Sequence, residues 1–207
     1  RVVALDLRLT RGRIARVAMI EKGFDIEPTI VDSWADDPRL RAANAATRVP
    51  TLVLDDGTPL SECLLIVQWL EATRPAPDWP SLLGSKDVPS VLSRAGIAIG
   101  TAEAATITII TRKVTAPALF DETPVGLRRR RSMAEGIARL EAVADKLAPH
   151  GSVSKAVPTL DAIAAVTAFD YLRFRFPDAA WLLPLPKLEA VSAAWRSRES
   201  FAKTMPR

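Results

Sequence analysis

The sequence predicts a mixed α/β N-terminal unit followed by an all-helical C-terminal one. Apolar residues alternate between strand and helix periods over residues 1–74, and residues 90–207 carry only helix-period segments. Between them, residues 75–89 hold Pro75, Pro77, Pro80 and Pro89 with no periodicity, which reads as a linker and domain boundary. The chain of 207 residues, 48% hydrophobic and 25% charged, has globular composition. A chain of that length buries about 70% of its unfolded surface.

Taken in order, the short apolar run 2–7 predicts a strand. Ile14, Val17, Ala18 and Met19 recur at helical spacing before a glycine stop at Lys22-Gly23. Residues 24–32 alternate again through Phe24, Ile26, Ile30 and Val31, and 35–44 reads as a short polar helix or turn, completing a β-α-β unit. Residues 51–54 form a strand, Asp55-Asp56-Gly57 a hairpin turn, and Pro59-Leu60 an antiparallel partner. Residues 62–72 close the unit as a helix, with Leu65, Ile66, Trp69 and Leu70 on its apolar positions. Beyond the linker, helices are expected over 91–111, 128–148 and from Pro158 onward. In the last of these, Ile163, Ala164, Val166, Phe169 and Leu172 make the helix apolar nearly all round and therefore central and buried. Thr159 is its expected N-cap, with Asp161 acting through the helix dipole alone, and Tyr171, Phe174, Phe176 and Trp195 are expected in the core or at helix ends.

Composition excludes several classes. One cysteine, Cys63, rules out an internal disulfide framework, and one histidine, His150, rules out a structural zinc site of the usual ligand count. No apolar stretch approaches the roughly 20 residues of a bilayer span, and Asp6 interrupts the N-terminus before a signal-peptide core, so a cytoplasmic protein is expected, with no membrane partner. The net charge of +4 is only a mild bias toward anionic partners. The one dense basic run, 128–131, lacks interleaved aromatics and reads as a solvated loop or helix start, so no nucleic-acid partner is expected.

Several short motifs fall in one order: Glu21-Lys22-Gly23, Asp36-Asp37-Pro38, Asn44, Arg48-Val49-Pro50, Leu54-Asp55-Asp56-Gly57 and Ser61-Glu62-Cys63. Tyr171 through Pro177, Trp195 and Ser200-Phe201 follow near the C-terminus. In this order and spacing the chain resembles the glutathione transferase family, in particular its bacterial branch. The resemblance implies a thioredoxin-like, glutathione-binding domain over 1–74, a linker over 75–89 and an all-helical domain over 90–207. It also implies glutathione as substrate, a small-molecule electrophile as acceptor, a role in detoxification and a homodimer.

Site residues follow from the same resemblance. Pro50 would follow a cis peptide bond, with the Val49 backbone meeting the cysteinyl part of glutathione; a plain trans proline at a strand start is the alternative. The γ-glutamyl carboxylate would sit at the helix start beside Glu62 and Cys63, with Arg48 as a nearby cation. A hydroxyl residue is usual in the place of Cys63, and a thiol is a poorer donor. Ser61 could instead supply the cap. A helix N-terminus also lowers a thiol pKa, which leaves a reactive or glutathionylated Cys63 open.

The chain departs from the family at the residue that meets the glutathione sulfur. Residues 6–13 contain no tyrosine, serine or cysteine, and Leu9-Thr10 stands where related sequences have Ser-Pro. Thr10 is the hydroxyl that remains as candidate catalytic donor, with Arg8, Arg11 or Arg13 as sources of positive potential. The acceptor is expected between the domains, along the helix 91–111 near Thr101, Thr106, Ile107 and Ile110, although these residues suit helix packing equally well. Two readings follow: a glutathione transferase that conjugates or reduces an electrophile, or a non-catalytic binding or scaffold protein that kept the fold and lost the hydroxyl.

Overall fold

The computed structural model describes residues 2–5, 10–24, 27–32 and 35–206. These divide into two units, the first running to Leu82 and including Ser200–Met205, the second spanning Leu83–Glu199.

In the first unit, β1 (Val2–Leu5) pairs in parallel with β2 (Thr29–Ile30) and antiparallel with β3 (Thr51–Val53), which pairs antiparallel with β4 (Pro59–Ser61). The strand order is β2-β1-β3-β4. The β-α-β crossover runs through α1 (Thr10–Glu21), which packs on α3 (Cys63–Thr73), and α2 (Pro38–Ala43) precedes β3. Ile14, Val17, Ala18, Leu52, Ile66 and Leu70 are buried, as the helical and strand periods require. The strand expected over 24–32 contracts to Thr29–Ile30, with Asp25 and Ile26 outside the described residues. Two causes are visible. Gly23 takes φ +72° while the Gly23 and Phe24 amides donate back to the Ile20 and Met19 carbonyls, so Phe24 finishes α1 as a Schellman cap. Pro28 has no N–H to give a ladder.

A buried cation secures this end of α1. Lys22 is wholly inaccessible, and its Nζ meets Glu71 Oε1 at 2.6 Å and the Arg74 carbonyl at 2.8 Å. Arg74 donates to the Lys22 carbonyl at 2.6 Å and lies over the rings of Phe24 and Trp79. Glu71 also accepts from Ser81 Oγ and the Leu82 amide, both at 3.0 Å. Buried charge is tolerated when paired and fully hydrogen-bonded, and here it ties the segment up to Leu82 against α3.

The second unit contains α4 (Val88–Thr115), α5 (Pro124–Ala142), α6 (Leu160–Arg175) and α7 (Pro186–Arg196), and α8 (Glu199–Ala202) leads out of it. Every residue of α6 from Leu160 to Leu172 is buried, as its all-round apolar sequence predicts. Thr159 stands at the N-cap position without a side-chain cap bond; its hydroxyl donates instead to Asp161 Oδ1 at 2.5 Å. Asp161 does more than complement a dipole. It is fully buried, accepts the Ala162 amide at 3.0 Å and takes Arg94 Nε of α4 at 2.6 Å. Glu141 receives the Lys187 and Leu188 amides at 2.9 and 2.8 Å, capping α7 from the last turn of α5. Tyr171, Phe176 and Trp195 are buried as expected, whereas Phe174 is 44% exposed with the Arg175 guanidinium over its ring, so it is not a core residue. The arginine run lies within α5, with Arg128, Arg130 and Arg131 exposed. Among the described residues no helix is long and apolar enough to cross a membrane.

Candidate functional site

The candidate site gathers at the N-terminus of α3 and the turn entering β3. The turn is shaped by the carbonyl of Arg48, which accepts from Thr51 Oγ1 at 2.6 Å and from Asn44 Nδ2 at 3.2 Å. Asn44 is held in turn by the Ala46 amide at its Oδ1. The next peptide, Val49-Pro50, is cis, as the resemblance implies. The Val49 side chain is buried with Val31 and Leu40, and the β1–β3 ladder begins only at Thr51, so Val49 lies outside the sheet pairing.

Opposite charges converge at Glu62, the residue before α3. Arg11 Nη1 meets Glu62 Oε2 at 3.0 Å and Arg48 Nη2 meets Glu62 Oε1 at 3.1 Å, so each carboxylate oxygen carries its own guanidinium. Glu62 has φ +69°, a region that costs an L-residue on the order of 1–3 kcal/mol and recurs at functional positions. Its carbonyl accepts the first α3 bond, from the Ile66 amide at 3.1 Å, while its side chain makes no cap bond. The amides of the first α3 turn and the positive end of the helix dipole thus adjoin the charge cluster, an arrangement that favours an anion.

Cys63, the first residue of α3, is 2% exposed. Burial, reinforced by the neighbouring Glu62 charge and opposed by Arg11, pushes its thiol up to about 11. A thiolate is therefore scarce at neutral pH, which disfavours a reactive Cys63. The physical reason is that desolvation outweighs the helix N-terminus.

Thr10 is the first residue of α1 and is 4% exposed. Arg8, Leu7 and Leu9 lie outside the described residues. Arg13 is buried, with Nη2 against Met205 Sδ at 3.6 Å, which makes it an interior residue of the first unit. Arg11 is thus the described arginine of that trio that stands at the charge cluster. In the second unit Thr101 is buried, donates to the Ile97 carbonyl at 2.8 Å and lies where a Cβ on Gly136 would meet its hydroxyl at 2.1 Å. It packs between α4 and α5, the helix-packing alternative left open by the sequence. Thr106 donates to the Ala102 carbonyl at 2.9 Å, and Ile107 and Ile110 are half-buried.

Sequence reasoning assigned Arg11 to the sulfur and missed its pairing with Glu62, which is 51 residues away along the chain. It also passed over Thr51 as a partner of the Arg48 carbonyl, although an Asn–Thr pair flanking Arg48-Val49-Pro50 is the residue chemistry that pins a turn.

A four-stranded mixed sheet with a cis-proline entering β3, followed in one chain by a helical bundle, defines a thioredoxin-like domain joined to an all-helical domain. Residues 12–73 match the Glutathione S-transferase, N-terminal domain family. The uncharacterized GST-like protein YibF of Escherichia coli (strain K12) is 27% identical over 192 residues, covering 92% of this chain and 91% of its own. A glutathione S-transferase of Methylobacterium radiotolerans, solved in complex with glutathione sulfonate, matches with a TM-score of 0.81 at 26% identity, covering 99% of this chain and 94% of its own. A glutathione transferase family member of Pseudomonas fluorescens Pf-5, solved with bound glutathione, matches with a TM-score of 0.81 over 100% of this chain and 98% of its own. At 21% identity, this last likeness concerns the fold.

Proposed function

We propose that the chain is a glutathione transferase that conjugates a small electrophile with glutathione or reduces it at glutathione's expense. The observation that carries this reading is the Arg11–Glu62–Arg48 cluster at the α3 N-terminus, beside the cis Val49-Pro50 turn. In this reading Val49 and Pro50 meet the cysteinyl segment, and Arg48, Glu62 and the α3 start at Cys63 hold the γ-glutamyl group by charge and amide donors. Activation requires lowering a thiol pKa from about 8.5 toward neutrality, which a hydroxyl donor and nearby positive potential achieve by stabilising the thiolate. Thr10 is the proposed donor, and the N-terminus of α1 adds potential of the right sign.

The test is calorimetry with glutathione, followed by turnover with a generic aryl electrophile in wild type and Thr10→Ala. Binding with a loss of about tenfold or more in turnover, affinity retained, supports the assignment. Binding without turnover supports the second reading, a non-catalytic binding or scaffold protein, which the burial of Thr10 and the thiol at position 63 favour. Absence of binding at several millimolar removes the glutathione reading.

We also infer a homodimer. Leu64 and Leu65, adjacent on α3, and Leu92 on α4 of the other unit are each about half exposed, and exposed apolar side chains of this kind are suited to a partner surface. Sedimentation at micromolar concentration is expected to show twice the chain mass of 22.5 kDa; a species at the chain mass refutes it.

A further inference from the structure

Basic and apolar side chains share one end of the helical unit. Arg94 of α4 meets Asp161 at the start of α6, and Arg112 near the end of α4 lies 5.0 Å over the Phe176 ring at the end of α6, so the two helices run parallel and finish together. The turn into α5 belongs to the same end, and it is firmly built. Arg112 Nε donates to Asp121 Oδ1 at 2.8 Å, Thr123 Oγ1 donates to the Phe120 carbonyl at 2.7 Å and accepts the Gly126 amide at 3.0 Å, and Phe120 is buried. This ordered turn nevertheless leaves its other large apolar side chains in water. Among the described residues eleven large apolar side chains are exposed, and five of them, Val114, Leu119, Val125, Leu127 and Phe174, lie at this end. Exposed cations adjoin them: Lys113 precedes Val114, Arg128 follows Leu127 with Arg131 one turn on, and Arg173 precedes Phe174. The carboxylates exposed nearby are Glu122 and Asp178, while Asp121 is already paired with Arg112.

We propose that this end of the helical unit docks on the surface of an anionic lipid bilayer. Its apolar side chains enter the boundary between headgroups and acyl chains, and the neighbouring Lys and Arg side chains meet the lipid phosphates. The long arginine stems lie along apolar surface while their heads stay at headgroup level. The mixing of the two residue types decides for a bilayer over a protein partner, because the core of a protein–protein interface is depleted of charge and here cations alternate with the apolar side chains. Nucleic acid fits less well, since the exposed ring at this end, Phe174, is covered by the Arg175 guanidinium at 4.7 Å and is not open to a stacking base. The expectation of no membrane partner concerned spanning segments, and contact with a surface requires none. The proposal is independent of the glutathione reading.

The experiment is flotation of the full chain with vesicles of phosphatidylcholine alone or with about one third phosphatidylglycerol. Wild type is expected to float with the anionic vesicles and not with the neutral ones, and to be released as salt rises from about 0.1 to about 0.5 M. Two double variants separate the contributions. Arg128→Gln with Arg131→Gln removes two cations, and Leu119→Ser with Val125→Ser removes two apolar side chains; each is expected to lower partition by about tenfold or more. Val157→Ser changes an exposed apolar residue just before α6, at the opposite end of that helix, and is expected to leave partition unchanged. All five positions are exposed, and an unaltered melting temperature for each protein shows that the fold is kept. Wild type that stays with the unfloated fraction, or that floats equally with both vesicles, overturns the proposal without need of any variant. An equal loss in Val157→Ser also overturns it. Partition lost with the two arginines but kept with the two serines would mean a plain polyanion contact, such as an acidic protein, and overturns docking on a bilayer.

Discussion

Cys63 is the residue at which two opposed electrostatic effects can be weighed. A helix N-terminus favours the thiolate and burial opposes it; burial wins and moves the thiol from 9.0 to about 11. The folded pKa is raised, so the neutral thiol favours the folded chain below pH 9, and that contribution is lost as pH rises through about 11. The shift corresponds to about 2–3 kcal/mol at most. Wild type is therefore expected to lose stability relative to Cys63→Ala between these pH values, as read by denaturant titration at a series of pH; parallel curves would show that the thiol is not buried in solution. A second expectation belongs to the same side chain. Cys63→Ser supplies a stronger donor at the α3 start, and one added hydrogen bond of about 0.5–1.5 kcal/mol tightens glutathione binding by about two- to tenfold. An unchanged dissociation constant would place the γ-glutamyl group elsewhere. The identities of Glu62 and Cys63 as helix-start residues were legible in the sequence. The pairing of Glu62 with Arg11 was not, because local spacing carries no information on which distant side chain will meet a carboxylate.

Secondary-structure elements followed their periods wherever one face was buried and departed from them where backbone chemistry intervened. The α6 pattern of Ile163, Ala164, Val166, Phe169 and Leu172 places that helix correctly at the centre of its unit. Among the described residues the strand expected over 24–32 is confined to Thr29–Ile30, because Phe24 is taken up by the α1 Schellman cap and Pro28, just before the strand, has no amide to give. Helix ends were the least legible, since their partners are remote. Asp161 is met by Arg94 from 67 residues away, and α7 is capped by Glu141. The Arg94–Asp161 pair leads to a prediction about the α4–α6 interface. Asp161 is fully buried, so Arg94→Met leaves a carboxylate with only Thr159 and the Ala162 amide as donors. A cost of about 3–5 kcal/mol is expected from breaking a buried pair on one side. Arg94→Met combined with Asp161→Leu should recover part of that loss, because no uncompensated charge then remains. Additive losses in the double variant would mean that Asp161 stabilises α6 independently of Arg94.

At the scale of the whole chain, the boundary between the units is not a single cut in the sequence. The proline-rich stretch signals a break, yet Leu82 is buried with its amide on Glu71, and Ser200–Met205 belong to the first unit. Ser200 Oγ donates to Glu21 Oε1 at 2.5 Å, Arg13 reaches Met205, and Phe201 is fully buried. Local patterning reads the Ser200-Phe201 segment only as the end of a helical run, because nothing in a short window shows that its ring fills a core built far earlier in the chain. The first unit therefore depends on residues at the opposite end of the sequence, and a fragment ending at Leu82 lacks part of its own interior. Phe201→Ala removes a ring from a fully packed position and is expected to cost about 3–5 kcal/mol, from lost transfer energy and the cavity left behind. For a chain of this size each kcal/mol lowers the melting temperature by about 2–4 °C. Hydrogen exchange locates the effect: amides of α1 around Glu21 should lose protection more than those of α5. Equal loss in both helices would show that the units unfold as one, and unaltered protection in α1 would show that the C-terminal segment adds nothing to the first unit.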